Sequence, residues 1–250
     1  MRNENKGEGI MNLEQFLNQI PNLDDYDTHL YNLTAILQNG ESPSDYYDFI
    51  DSGSFKEVYK LNNNYVVKFC STENPTQEEH KLYQIAHNEL EENNIFLPVY
   101  CYYFNQNEHV DLLEVSDGYY SYDEISGEEK YNPMYATALE IQPVIECTLD
   151  QASNWCEDYD EELFLATSEE LLNMLVIWNQ YDSLYLYLND DKVFWVFSIL
   201  CNYGEAGLKA IAQFFTKYYI TDWHSKNIGW IKQNDKLLPV IFDYFSNVEN

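Results

Sequence analysis

From residue 46 the chain reads "YYDFIDSGSFKEVYKL", and after Asn62–Asn64 it continues "YVVKFC". Val, Tyr and Phe alternate with polar residues on both sides of a short Asn turn, the pattern of a β-hairpin. A period of two decides which side chains share a face, and a slip of one residue would turn the whole apolar set over. This stretch therefore constrains the fold more than any other. Before it, over residues 11–38, apolar residues recur at helical spacing: Leu13, Phe16, Leu17 and Ile20, then Leu30, Leu33, Ile36 and Leu37, with Pro21 between the two sets. After it comes "NPTQEEHKLYQIAHNEL", with Pro75 suited to a first helical turn and Leu82, Ile85, Tyr83, Ala86 and Leu90 supplying apolar faces.

Two further strand-like runs, "FLPVYCYYF" and "ATALEIQPVI", flank a polar stretch from 105 to 135 that reads as a long hairpin or insertion. The second half is mainly helical. "TSEELLNMLVIW" opens with Thr167 and Glu170 at capping-box spacing, and "AGLKAIAQFFTKYY" sets Leu208, Ile211, Phe215 and Tyr218 on one face. The expectation is an α+β fold of two lobes. A small helical extension spans 1–46, an antiparallel-sheet lobe with one helix spans 47–141, and a mainly helical lobe spans 142–250.

Charge narrows the partners. The chain has 43 Asp and Glu against 13 Lys and Arg, a formal net charge of −30, and Arg2 is its one arginine. Between 101 and 170 there are 18 acidic residues against the single Lys130. Such a chain repels phosphate backbones and anionic membranes, because binding them needs cations that displace counterions. Direct nucleic-acid and membrane binding are thus excluded, and a protein partner with a basic surface is favoured. No signal peptide and no apolar run near membrane-spanning length occurs, which predicts a cytoplasmic protein. Five cysteines without a CxxC pair predict reduced thiols in place of a zinc site or disulfide framework.

The polar residues that carry chemistry fall in one order along the chain. "DSGSFKEV" (51–58) sits between two strands; Gly53 and Ser54 would let backbone approach phosphate, and Val58 would cover a base. Lys68 follows in "VVKF", and Glu79, or failing that Glu78, lies on the next helix, where it would hold Lys68 in an ion pair. "TDWHSKNIGWI" (221–231) then supplies Asp222, His224 and Asn227, and Asp243 follows the apolar run "LPVIF". Phosphoryl transfer needs these parts: small residues over the phosphates, a lysine on their oxygens, carboxylate and amide oxygens for a hard cation, and a carboxylate near the attacking hydroxyl.

Taken together, the order Gly-x-Phe, Val, Lys, helix Glu, Asp-x-His-x-x-Asn, apolar strand and Asp resembles the protein-kinase-like superfamily. "DWHSKN" is closer to the catalytic loop of aminoglycoside and choline kinases and of small bacterial or phage kinase-like proteins than to that of eukaryotic protein kinases. The resemblance covers roughly residues 48–104 and 136–245. It implies ATP and magnesium (Mg2+) as cofactors, with Asp222 catalytic, His224 bracing its loop, and Lys68 on the nucleotide phosphates paired with Glu79. Asn227 and Asp243 would hold the metal, and Gln142–Pro143–Val144 would offer backbone groups to adenine. Asp51 and Lys56 stand where the glycine loop has its first and third glycines, Ile220–Thr221 precede the catalytic Asp, and "DYF" replaces Asp–Phe–Gly at 243–245. The residues after Asp243, "YFSNVEN", do not resemble an activation segment.

Three functions remain open from the sequence. The first is an active ATP- and magnesium-dependent kinase-like phosphotransferase, suited to a phage-encoded protein acting on a host protein. The second is a pseudokinase that works by binding. The third is an acidic inhibitor that mimics DNA charge toward a nucleic-acid-binding host defence protein.

Overall fold

The computed structural model describes residues 11–53, 56–71, 76–90, 95–104, 114–122, 129–148, 191–220, 227–233 and 236–243. Among them the chain is α+β. The helix predicted over 167–178 lies outside the described residues. The chain divides into two compact units, one of residues 1–77 and 99–142, the other of residues 78–98 and 143–250.

The first unit is a sheet covered by two helices. Helix α1 (Leu13–Leu17) opens with a capping box: the Asn12 side chain accepts from the Gln15 backbone N–H, and the Gln15 side chain accepts from the Asn12 N–H. Pro21 follows in the turn, and α2 (Tyr26–Asn39) runs to Gly40, whose positive φ of 68° lets its N–H reach the Ile36 carbonyl as a left-handed cap. A 3-10 turn, Pro43–Asp45, leads into β1 (Asp48–Ser52), β2 (Lys56–Lys60) and β3 (Tyr65–Ser71). β2 and β3 form the predicted hairpin around Asn62–Asn64, with the Asn62 side chain accepting from the N–H groups of Asn64 and Tyr65. β4 (Tyr100–Tyr103), β5 (Glu114–Tyr122) and β6 (Glu129–Pro143) complete a six-stranded sheet in the order β1-β2-β3-β6-β4, with β5 paired to β6 and lying against β2 and β3. The stretch read as a long hairpin or insertion therefore contains β5 and the first part of β6.

Strand alternation sorts the two faces of this sheet. Tyr59, Val67, Phe69, Leu139 and Ile141 pack against Phe16, Leu17, Leu33 and Ile36, so α1 and α2 close one face as a single apolar core. Phe16 stacks on Tyr102 with ring centroids 5.6 Å apart, and the Tyr65 hydroxyl donates to the Pro21 carbonyl at 2.7 Å. Val58 and Lys68 are register partners on the opposite parity, which puts them on the other face. Cys70, Cys101 and Ala138 form a small buried cluster; β6 lies between the strands that carry the two free thiols.

The second unit contains helix α3 (Thr76–Glu89) from Glu78 on, the segment 95–98, strand β7 (Cys147–Thr148), helix α4 (Asp191–Tyr218), and the hairpin of β8 (Ile228–Gln233) and β9 (Lys236–Ile241). β7, β8 and β9 form a three-stranded antiparallel sheet in that order. β9 is held on its outer edge by a parallel bridge between Phe96 and Ile241, with backbone hydrogen bonds from Leu97 to Ile241 and from Ile241 to Ile95 at 3.0 and 2.8 Å. α4 breaks at Gly204, whose φ of 68° and ψ of −178° suit glycine. Its C-terminal half packs Phe214 and Phe215 around Phe96. Its end is tied to the end of α3, where Glu89 accepts from Lys217 Nζ and the Tyr218 hydroxyl, both at 2.6 Å. No described helix is long and apolar enough to cross a membrane.

Candidate functional site

The second unit brings together three of the residues singled out in the sequence. The β8–β9 hairpin pairs Ile228 with Ile241, so the residues just beyond each end of the pairing become neighbours. Asn227 and Asp243 stand there. The Phe242 N–H donates to the Asn227 carbonyl, and Asn227 Nδ2 donates to the Asp243 carbonyl, both at 3.0 Å. Asn227 is 7% exposed, and because its amide nitrogen is spent on Asp243, its oxygen occupies the opposite prong of the amide. Asp243 has φ 51°, the left-handed region that Asp tolerates better than most residues but that still stores strain. Apolar alternation thus sets the hairpin register, and the register sets the Asn227 amide against the Asp243 backbone.

Glu79 reaches the same cluster through Tyr83. One helical turn separates them on α3, which stacks their side chains on one face. The Tyr83 hydroxyl donates to Glu79 Oε1 at 2.5 Å and lies 3.4 Å from Asp243 Oδ1. A phenol carries one proton, so the short bond takes it and the longer contact is a second-best one. Tyr83 is 1% exposed and Glu79 5%. Tyr83 is a candidate that helical periodicity hides, because its spacing also places it on the apolar face of α3. The available signal was its position four residues after a glutamate.

The remaining candidates lie on the sheet of the first unit or just beyond its last strand. Lys68, on the central part of β3, is 2% exposed and stands opposite Val58, which in turn stands opposite Asp51 of β1. Directly opposed residues share a face, so Asp51, Val58 and Lys68 form one row. Gly53 follows β1, donates its N–H to the Lys56 carbonyl at 2.8 Å, and has open space where a Cβ would stand. Gln142 is buried near the end of β6, and Val144 follows that strand half-buried. Lys68 belongs to the first unit, whereas Glu79, Asn227 and Asp243 belong to the second. Ser54, Asp222 and His224 lie outside the described residues.

One charged pair leaves no local signal in the sequence. Lys56 Nζ lies 3.2 Å from Glu140 Oε2, across 84 residues of sequence, with the glutamate side chain wholly buried. Burial, with the Glu140 carboxylate as the next cause, pushes the neighbouring Cys70 thiol well up, so it stays protonated. Burial likewise pushes up the phenol of Tyr103, beside Cys101. These groups form an inert thiol and phenol wall, since a thiol without its thiolate is a poor nucleophile.

Comparison with known protein families and with curated proteins finds no match to this chain.

Proposed function

We propose that the chain is a two-lobed, kinase-like phosphotransferase that moves the terminal phosphoryl group of ATP to an acceptor hydroxyl, with magnesium, and acts on a host protein if it is phage-encoded. The observation that carries the reading is the Asn227–Asp243 contact: two residues whose side chains carry an amide oxygen and a carboxylate, one buried and one half-buried, brought together by hairpin register and by the hydrogen bond from the Asn227 amide nitrogen to the Asp243 backbone carbonyl. Hard oxygen donors of this kind suit magnesium, which takes few protein ligands and leaves positions for phosphate. The strand order β1-β2-β3-β6-β4, with a helix directly after β3, also supports it.

In this reading Lys68 neutralises phosphate oxygens, Val58 covers the base, and Gln142 and Val144 offer it backbone groups. Asn227 and Asp243 would hold the metal, which when bound offsets the charge that builds on the phosphoryl oxygens. Asp222 takes the proton of the acceptor hydroxyl as its oxygen bonds to phosphorus and the bond to ADP breaks, and His224 braces that loop. Calorimetry of ATP with and without magnesium, on the wild type and on Asp243→Ala, tests the reading. Magnesium-dependent binding that the substitution weakens at least about tenfold, equivalent to roughly 1.4 kcal/mol, is the expected result. Failure of the wild type to bind at millimolar ATP would sink it.

A second reading is favoured by the net charge of −30: an acidic, non-catalytic protein that occupies the basic surface of a nucleic-acid-binding host defence protein. It predicts that Asp222→Ala keeps full biological activity while partner binding collapses with added salt.

A further inference from the structure

We propose that Lys56 is a second phosphate-directed cation, held in reserve by Glu140, so that nucleotide binding is coupled to opening of the Lys56–Glu140 pair. The inference rests on the phosphotransferase reading and assigns a regulation to the same site.

Lys56 and Glu140 are not on neighbouring strands. β3 lies between β2 and β6, and Lys56 stands opposite Cys70 of β3. Strands lie about 4.8 Å apart, so the lysine side chain must cross about 10 Å of sheet, over Cys70, to meet Glu140. Val58 and Lys68 are the next pair along the same two strands, two residues further on β2 and two residues back on β3, so they share the face over which the ion pair runs. The cation that closes this face therefore stands beside the lysine assigned to phosphate.

The closed arrangement is incompletely satisfied. Glu140 Oε1 is buried without a hydrogen-bond partner among the described residues, and so is Gln142 Oε1, two residues on and on the same side of β6. A buried ion pair gains little over its desolvation, and an unpartnered acceptor beside it removes part of that gain. Lys56 is the first residue of β2, and its flexible four-carbon stem can reach a new partner without unpairing the strand. A triphosphate offers several negative charges where Glu140 offers one. Once Lys56 turns to the phosphates, Glu140 is left without that cation. This opposing cost lowers the apparent nucleotide affinity, as any unfavourable pre-equilibrium does.

Calorimetric titrations of Mg-ATP, and separately of inorganic tripolyphosphate, into the wild type, Glu140→Gln, Lys56→Met and the double variant test this. Glu140→Gln keeps the shape and removes the competing charge. It is expected to bind both probes about tenfold more tightly than the wild type, and Lys56→Met added to it is expected to erase the gain. If the wild type binds Mg-ATP and Glu140→Gln binds it equally or less tightly, the pair is merely structural and the inference fails while the phosphotransferase reading stands. If neither binds, both fail. Should Glu140→Gln not fold, as judged by near-ultraviolet dichroism, Glu140→Met removes the charge with a side chain of similar length and is read by the same criteria.

Discussion

Tyr83 shows how much one atom can organise. Its hydroxyl connects a helix carboxylate to the carboxylate that follows β9, at 2.5 and 3.4 Å. Tyr83→Phe keeps the buried ring and deletes that link. A hydrogen bond to a charged group contributes about 1.5–3 kcal/mol, so urea denaturation should show a loss near 2 kcal/mol. Under the phosphotransferase reading, Tyr83→Phe should also raise the magnesium concentration needed for ATP binding, which magnesium titration at fixed ATP reads. A loss of stability with unchanged magnesium dependence would make Tyr83 a purely structural residue. Asn227 and Asp243 were legible because a hairpin joins residues only 16 apart, and apolar runs predict hairpins. Lys56 and Glu140 were not, because 84 residues separate them and strand order leaves no local trace in sequence.

At the scale of elements, the β2–β3 hairpin, α3, and the split of the first 40 residues into two helices at Pro21 follow from periodicity and turn residues. The pairing of β3 with β6 does not, since it depends on tertiary burial. That α1 and α2 would close one face of the sheet was equally hidden, because an apolar helix face does not name its partner. Phe16 is the test of that closure. It is fully buried and stacked on Tyr102, and Phe16→Ala should cost about 3–5 kcal/mol in denaturant unfolding. A cost below about 1 kcal/mol would mean the helices cover the sheet only loosely. The end of α4 supplies an opposite case. The Ile220 N–H bonds back to the Phe215 carbonyl at 3.1 Å, and Tyr219, exposed with φ 52°, occupies the left-handed position where glycine is usual. Relief of a left-handed penalty of about 1–2 kcal/mol, less glycine's entropy of about 0.5–1, gives a net gain near 0.5–1 kcal/mol for Tyr219→Gly. A thermal melt of the variant would show the raised midpoint; a lowered one would mean that the tyrosine ring contributes more than its backbone strain removes.

For the whole molecule, acidity and salt act through different groups. Burial holds His29 and His87 below the usual 6.5, so the unfolded chain binds more protons than the native one just below that pH. Their contribution is complete above 6.5 and is lost as pH falls through 6.5 toward the folded values. The Lys217 and Tyr218 donors hold the Glu89 carboxyl below its usual 4.5, and that contribution is lost only as pH falls through its folded value. Between pH 7 and 5 the histidines therefore decide, and melts over that range should fall in the wild type and flatten in His29→Phe, which keeps a ring beside Tyr47. An unchanged slope would remove His29 from the account. At neutral pH, a net charge of −30 repels itself over a screening length of about 10 Å at 0.1 M salt, so sodium chloride should raise the melting temperature.

The core beneath α1 and α2 also sets a schedule for birth on the ribosome. Its contributors run from Leu13 to Ile141, so the first helices are made long before the strand that completes their burial. At a synthesis rate of about 5–20 residues per second, their apolar faces wait roughly 6–25 seconds for β6 to emerge. Nascent chains stalled before residue 141 should therefore be the ones that a holdase chaperone captures.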